Sequence, residues 1–84
     1  RVAREVLQQG GGAPTILNAA NEIAVQRFLA GQIRFLDIVH SIEETLARMM
    51  PVPPPASIAE VVALDREARA IATAAVEALA VARG

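Results

Sequence analysis

The sequence predicts an all-α protein, an antiparallel four-helix bundle with a short extra helix before the last one. Apolar residues recur three and four positions apart, which is the spacing of helices that bury one face. Of the residues, 54% are hydrophobic but only 2% are aromatic, so the core must consist of Ala, Val, Leu and Ile. That composition favours helices over sheets, and short loops favour antiparallel neighbours. At 84 residues, the chain has room for one modest core.

The N-terminal segment has the pattern of a helix that ends early. Val2, Val6 and Leu7 mark its last turns, and the glycines at 10–12 stop it, because glycine readily takes the left-handed conformation that ends helices. These glycines lack the spacing of a phosphate-binding loop and are predicted to be a linker or a cap. The helical pattern from Arg1 onward, without an initiator Met, indicates a piece of a longer protein. Part of its apolar surface is then expected to face the missing part.

The stretch LNAANEIAVQRFL at 17–29 predicts the second helix. Pro14 suits its first turn, Thr15 is a candidate cap, and Gly31 stands where a glycine commonly follows a helix. At 100° per residue, five apolar residues fall on one face and are predicted to be buried. These are Leu17, Ala20, Ala24, Val25 and Phe28.

Asn21 falls in the middle of this predicted buried face. An unpaired carboxamide in an apolar site costs about 1–3 kcal/mol, so Asn21 needs a fixed partner. We therefore predict a structural hydrogen-bond network of Asn18, Asn21 and Glu22. A catalytic role for Glu22 as a buried acid is the less favoured alternative, because the sequence shows neither a cleft nor a partner for it.

The third helix is predicted from Leu36 or Asp37 to Met49, with Asp37 near the positive end of the helix dipole. Before it, Ile33 and Phe35 are expected to fold back onto the core. The outer face carries an ion pair of i,i+4 spacing. The predicted buried face consists of Ile38, Val39, Ile42, Leu46 and Met49.

The residues at 51–55, PVPPP, predict a stiff, extended connector, because proline lacks the amide donor of a helix interior. Ser57 to Glu60 reads as a capping box, so a helix starts there. Asp65 can act as a second N-cap, and we predict a short helix from Ile58 to Leu64 and a long one from Arg66 to about Ala82. The long helix is expected to bury Ala68, Ile71, Ala72, Ala75, Val76 and Leu79.

Charge and composition exclude several classes of function. The net charge is −1 and every basic residue is an arginine, so nothing suggests binding to nucleic acid or to an anionic membrane. The absence of cysteine removes disulfides, thiolate metal sites and a cysteine nucleophile, and it fits a reducing compartment. No apolar run approaches the length of a membrane span, and no signal peptide pattern opens the chain. We expect a soluble, cytoplasmic protein.

One cluster, His40 with Glu43 and Glu44, resembles a set of metal ligands. His40 lies away from the apolar face of its helix, and the chain has no second histidine to complete the ligand set. A solvated helix face is the favoured interpretation. We therefore predict no catalytic, cofactor-binding or metal-binding residue in this segment.

Three stretches in chain order carry a family resemblance. They are LNAANE at 17–22, the F-x-D-I pattern at 35–38 and the A-L-D-x-E-A-R run at 63–69. With the proline-containing break between the last two, they make essentially the whole chain similar to the C-terminal helical domain of 1-deoxy-D-xylulose 5-phosphate reductoisomerase. Leu36 departs from the family's frequent small or hydroxyl residue at this helix start.

The resemblance implies a parent enzyme that isomerises deoxyxylulose phosphate and reduces the product with NADPH and a Mg or Mn ion, in the non-mevalonate route to isoprenoids. It implies a homodimer of three-domain chains, whose cofactor-, metal- and phosphate-binding residues precede this segment. Residues 1–84 are then a C-terminal domain that supports the catalytic domain of the same chain. The alternative is a free-standing helical interaction module, which a reading frame beginning just upstream of Arg1 would favour.

Overall fold

The computed structural model describes residues 12–83, which form three α-helices. We name them α1 (Ala13–Leu29), α2 (Phe35–Met49) and α3 (Ile58–Arg83). Each helix packs against the other two, and the contact between α1 and α3 is the most extensive. The described residues contain no strand, which confirms the all-α class. Among these three helices, none is long and apolar enough to cross a membrane.

The three helices run up, down and up. Ile16 near the start of α1 shares a hydrophobic cluster with Met49 at the end of α2 and Ala68 in the first half of α3. Ala24 and Val76, in the later halves of α1 and α3, meet in a second cluster. Helices α1 and α3 are therefore parallel to each other, and α2 is antiparallel to both.

We call the end of the bundle that holds Gly12 the proximal end, and the end that holds Gly31 the distal end. The predicted N-terminal helix, based on Val2, Val6 and Leu7, lies outside the described residues. Within residues 12–83 the count is three helices, and the four-helix bundle stays a prediction.

The predicted break at Asp65 is wrong, because α3 is one continuous helix through this position. The expected pair of helices, 58–64 and 66–82, is replaced by a single helix of 26 residues. The Asp65 carboxylate accepts a hydrogen bond from Arg69 Nε at 2.8 Å, one turn further along the same helix. An i,i+4 bond of this kind supports a helix interior, so Asp65 does not act as a cap.

The start of α3 has the predicted cap. Ser57 Oγ accepts a hydrogen bond from the Glu60 amide at 3.1 Å, which satisfies one of the free donors of the first turn. The Glu60 carboxylate reaches back to the Ala56 amide at 2.7 Å, one residue before the position that a standard capping box uses. The preceding residues 51–56 are non-helical, as the prolines predict.

Gly12 is the N-cap of α1, and Pro14 lies in the first turn. Thr15 is therefore inside the helix, and the prediction that it caps α1 is wrong. Gly12 has an ordinary right-handed backbone conformation, so its backbone does not require glycine. The space around Gly12 favours glycine instead, because an added Cβ would lie 2.6 Å from Val52 Cγ2 and 2.7 Å from Leu64 Cδ2.

Helix α1 ends in a Schellman motif at the predicted glycine. The Gly31 amide donates to the Phe28 carbonyl at 2.9 Å, and the Gln32 amide donates to the Arg27 carbonyl at 3.0 Å. Gly31 has φ of 77°, a left-handed conformation that strains any residue with a Cβ. The chain can therefore reverse from α1 into the short loop before α2.

We expect Gly31→Ala to lower the free energy of unfolding by about 1 kcal/mol, because alanine disfavours the left-handed conformation. Nothing lies within 4 Å of an added Cβ, so the loss comes from the backbone alone. Gly31→Asn should lose less, since asparagine tolerates this conformation better. Urea unfolding followed by circular dichroism measures both, and an alanine variant as stable as the parent chain would contradict the assignment.

Helix α2 begins at Phe35, one residue before the predicted range. Asp37 Oδ2 accepts a hydrogen bond from the Arg34 amide at 2.9 Å, and this buried carboxylate lies at the positive end of the helix dipole, as predicted. Ile33 is buried as expected, but Phe35 is 68% exposed. Its ring packs edge-on against Phe28 at a centroid distance of 5.7 Å, so it covers the end of α1 and does not enter the core.

The buried face of α2 is centred on the row Asp37, Ser41 and Thr45, all nearly inaccessible to solvent. The hydroxyls are satisfied within the helix: Ser41 Oγ donates to the Ile38 carbonyl at 3.0 Å, and Thr45 Oγ1 donates to the Ser41 carbonyl at 2.8 Å. Val39 is 49% exposed, so the prediction that it is buried is wrong. A hydrophobic pattern cannot identify a buried face whose centre is polar.

The core consists of two separate hydrophobic clusters. In the proximal cluster, small alanines allow the helices to approach closely around larger side chains. Its buried members are Ala13, Ile16, Ala19, Leu46, Met49 and Ala68. The distal cluster is smaller, and its buried members are Ala24, Ile33 and Val76.

Candidate functional site

The predicted polar residues of α1 lie on its exposed side. Asn18, Asn21 and Glu22 are all exposed, so the prediction that Asn21 belongs to the buried face is wrong. Ile16 and Ala20 lie near the centre of the true buried face, about a quarter turn from the predicted one. The prediction followed the large apolar residues of α1, which are only half buried. The residues that this helix actually buries are mostly alanines.

Glu22 and Arg69 join α1 to α3. Arg69 Nη1 donates to Glu22 Oε1 at 3.2 Å, while its Nε donates to Asp65 at 2.8 Å. The hydrogen bond to Asp65, with that to Glu22, raises the pKa of Arg69 above its usual value, so the guanidinium stays charged. These groups are partly open to water, so the cluster aligns the two helices more than it stabilises them.

The structure thus brings one of the three predicted residues, Glu22, into a hydrogen-bonded cluster. Its partners Asp65 and Arg69 were not predicted as site residues. Asp65 and Arg69 lie four residues apart in the DREAR stretch, which is the spacing at which side chains on one helix can form an ion pair. No local signal identifies the link to Glu22, which lies 47 residues away in sequence. The network of Asn18, Asn21 and Glu22 itself stays a prediction.

Beside this cluster, α1 and α3 border an open groove at the proximal end. We call it the proximal groove. Its volume is about 410 Å³, and it is lined by Pro14, Thr15, Asn18, Val61, Val62 and Asp65. Ile58 follows one turn outward on α3 and is 84% exposed. An apolar floor thus lies next to the exposed carboxamides of α1.

A second, smaller groove of about 280 Å³ lies between α2 and α3. His40 is exposed at its rim, as predicted for the solvated face of α2. Glu44 pairs with Arg48 at 2.7 Å across one helical turn. In the part of the chain that the structure describes, no group of three or more His, Cys, Asp or Glu residues is close enough together to hold a metal ion.

The proximal groove combines features of a protein–protein contact: exposed apolar side chains, neutral amides that can donate and accept hydrogen bonds, and a charged cluster that is already paired. The fold and this surface define a class of protein, a small all-α domain with an exposed apolar groove.

Comparisons with known proteins agree with this class. The family described as the DXP reductoisomerase C-terminal domain matches residues 1–71. The 1-deoxy-D-xylulose 5-phosphate reductoisomerase of Solibacter usitatus is 47% identical over 72 residues, which are 86% of this chain and 18% of that protein. The enzyme of the same name from Rhodospirillum centenum is 61% identical over 49 residues, 58% of this chain and 12% of its own.

A solved structure shows the same arrangement of helices. It is the 1-deoxy-D-xylulose 5-phosphate reductoisomerase from Zymomonas mobilis in complex with NADPH, with a TM-score of 0.83 and 47% identity. The overlay covers 89% of this chain and 20% of that chain. The chain therefore belongs to the DXP reductoisomerase C-terminal domain family, as the resemblance of its three sequence stretches indicates. It spans about a fifth of the length of the relatives that it matches over most of its own length.

Proposed function

We propose that this chain is the C-terminal domain of an NADPH-dependent enzyme that converts 1-deoxy-D-xylulose 5-phosphate to 2-C-methyl-D-erythritol 4-phosphate in non-mevalonate isoprenoid biosynthesis. The observation that carries the proposal is the match of residues 1–71 to the C-terminal domain of reductoisomerases. The overlay on the Zymomonas mobilis enzyme supports it independently, because it extends to 89% of this chain.

Within that enzyme, the domain acts as a scaffold for the catalytic part of the same chain, and the parent enzyme is a homodimer. Because the relatives are about five times as long, most of such an enzyme lies outside this segment. A four-helix bundle, with its first helix from residues outside the described part, belongs to the same proposal.

The cofactors of this enzyme, NADPH and a divalent Mg or Mn ion, do not fit a site among the residues that the structure describes. Residues 12–83 hold no metal-binding group of acidic, His or Cys side chains. The two connections within these residues, at 30–34 and 50–57, follow helices, whereas dinucleotide-binding loops follow a strand. We assign both cofactors to the catalytic part, and no step of the reaction to the residues described here.

A chimeric enzyme tests this function. Residues 1–84 replace the matching C-terminal segment of the Zymomonas mobilis reductoisomerase, to which they are 46% identical over 78 residues. We expect the chimera to oxidise NADPH when 1-deoxy-D-xylulose 5-phosphate is added, and the same enzyme truncated before the segment to be inactive. A folded but inactive chimera would contradict the proposal, and an active truncated enzyme would contradict the scaffold role.

In this chimera, we expect Asn21→Leu to lower the melting temperature or the turnover, because the exposed carboxamide is proposed to help hold the active-site geometry. A lost polar contact of this kind costs roughly 1–3 kcal/mol. Gln26→Leu is the matched control, since Gln26 is also an exposed amide of α1 but lies about 140° around the helix. Unchanged melting and turnover in the Asn21 variant would count against this role.

A further inference from the structure

We infer that an apolar patch at the distal end of the bundle is the surface on which the catalytic part of the same chain docks. This inference rests on the proposed function and adds to it the face of the domain that forms the contact. We call the surface the distal patch, and it consists of Leu29, Phe35, Leu36 and Val39. Three arguments support it: the exposure of these side chains, the match of the patch to its possible occupants, and its continuity with Asn21.

The first argument is apolar exposure around the turn from α1 to α2. Leu29 is the last residue of α1 and is 76% exposed. Phe35 and Leu36 begin α2 and are each 68% exposed, and Val39 follows one turn later at 49%. The ring contact between Phe28 and Phe35 holds the two helix ends together here. A patch of large apolar side chains on a small domain is typical of a surface that another protein surface covers.

The second argument concerns the occupant, and reach excludes the segment that precedes α1. Residues 1–11 join the bundle at Gly12, and as the helix that the sequence predicts they would extend roughly 17 Å, at about 1.5 Å per residue. Leu29 lies about 26 Å from Gly12 along α1 at the same rise. In the predicted conformation, residues 1–11 therefore fall short of the distal patch.

Area distinguishes the catalytic part of the chain from a second copy. Four side chains of this size and exposure present on the order of 500 Å². A stable contact between separate copies buries about 800 Å² on each partner. A tethered partner is present at an effective concentration in the millimolar range, so a smaller surface suffices to hold it. In the relatives, the remaining four fifths or so of the chain are such a partner.

The third argument is continuity with the exposed carboxamide of α1. Asn21, Val25 and Leu29 follow one another at intervals of four residues, so they form one row along the helix. Asn21 is exposed and Val25 is half-buried. The proposed role of Asn21 in the active-site geometry requires the catalytic part on this side of α1, and the row leads from Asn21 to the distal patch. Contacts between domains of one chain have this mixed polar and apolar character.

Thiol labelling of the chimera tests whether the patch is covered. This segment has no cysteine, so Leu29→Cys introduces a thiol that is unique among its peptides. Val81→Cys is the matched control, because the two side chains are 76% and 80% exposed and lie near the last residues of parallel helices. Docking should slow the reaction of Leu29→Cys with a maleimide roughly tenfold or more relative to Val81→Cys. Equal labelling rates would overturn the inference.

A photo-cross-link identifies what covers the patch. Leu36→p-benzoylphenylalanine places a photoreactive group there, and denaturing electrophoresis separates links within one chain from links between chains. We expect cross-links to peptides of the catalytic part within one chain. Cross-links to residues 1–11, or to any part of a second chain, would contradict the assigned occupant.

A charge supplies the functional readout. A lysine near the C-terminal end of an exposed helix is neutral or stabilising, so Leu29→Lys would leave the chimera unharmed if the patch faced water. Docking predicts a fall in melting temperature and turnover for Leu29→Lys and no change for Val81→Lys. Unchanged values for Leu29→Lys would count against docking. If the chimera with unchanged residues 1–84 is inactive but Leu29→Cys is protected, the proposed function fails and the docking face stands.

Discussion

Replacing Ile16 with alanine is expected to lower the free energy of unfolding by about 2–5 kcal/mol, the largest effect of any single substitution considered for this domain. Ile16 is completely buried and has the largest side chain among the fully buried residues. It lies in the proximal cluster beside residues from all three helices, including Leu46 and Ala68. Truncation leaves a cavity that these neighbours cannot fill without moving the helices. Urea unfolding followed by circular dichroism measures the loss.

Ile58→Ala is the control for this experiment, since it makes the same chemical change at a side chain that is 84% exposed. Its effect should stay within about 0.5 kcal/mol. Similar losses for the two variants would mean that Ile16 is not the centre of the proximal cluster.

The second large effect is expected at Gly12. Its backbone conformation is accessible to any residue, and Gly→Ala at such a position ordinarily stabilises a protein by about 0.4–1 kcal/mol. At Gly12 we expect the substitution to destabilise the protein instead, because the new methyl group would lie 2.6 Å from Val52 and 2.7 Å from Leu64. Overpacking of this kind costs about 1–3 kcal/mol.

A double variant distinguishes crowding from any effect on the helix cap. If crowding is the cause, Leu64→Ala should destabilise the Gly12→Ala chain less than it destabilises the parent chain. Thermal unfolding of the four variants measures this coupling. A Gly12→Ala chain that is more stable than the parent would show that α1, the connector and α3 do not meet at this glycine.

Features that depend on local chemistry could be predicted from the sequence. Gly31, the Ser57 cap and the prolines at 51–55 each act through their own backbone or that of a near neighbour, and the structure has all three as predicted. The helical class follows from spacing that repeats over the whole chain. These signals do not require knowledge of how the helices pack.

Features that depend on packing could not be predicted in the same way. Asp65 has the chemistry of a cap, but Arg69 holds it in a continuous helix. The hydrophobic pattern places Asn21 on a buried face, because the large apolar residues of α1 outweigh the alanines that this helix actually buries. Phe35 is apolar yet covers the outside of Phe28. In each case, the deciding neighbour is identified only when the helices are assembled.

The same limit applies to the candidate site. Asn18, Asn21 and Glu22 were singled out in the sequence, and they lie on one exposed face of α1. The second side of the proximal groove, with Val61 and Val62, was not predicted. The pattern of α3 shows that these valines share a face, but not that this face lies beside α1.

The division of the core into two clusters has a consequence for motion within the domain. The two clusters share no residue, and the distal cluster has only three buried members, against six in the proximal one. Segments with fewer buried contacts open locally at a lower free energy than the whole protein unfolds. Amide hydrogens near Ala24 and Val76 should therefore exchange with solvent faster than those near Ile16 and Ala68. The distal end can open and close in this way while the proximal end keeps its shape, so local opening at one end would leave the proximal groove intact.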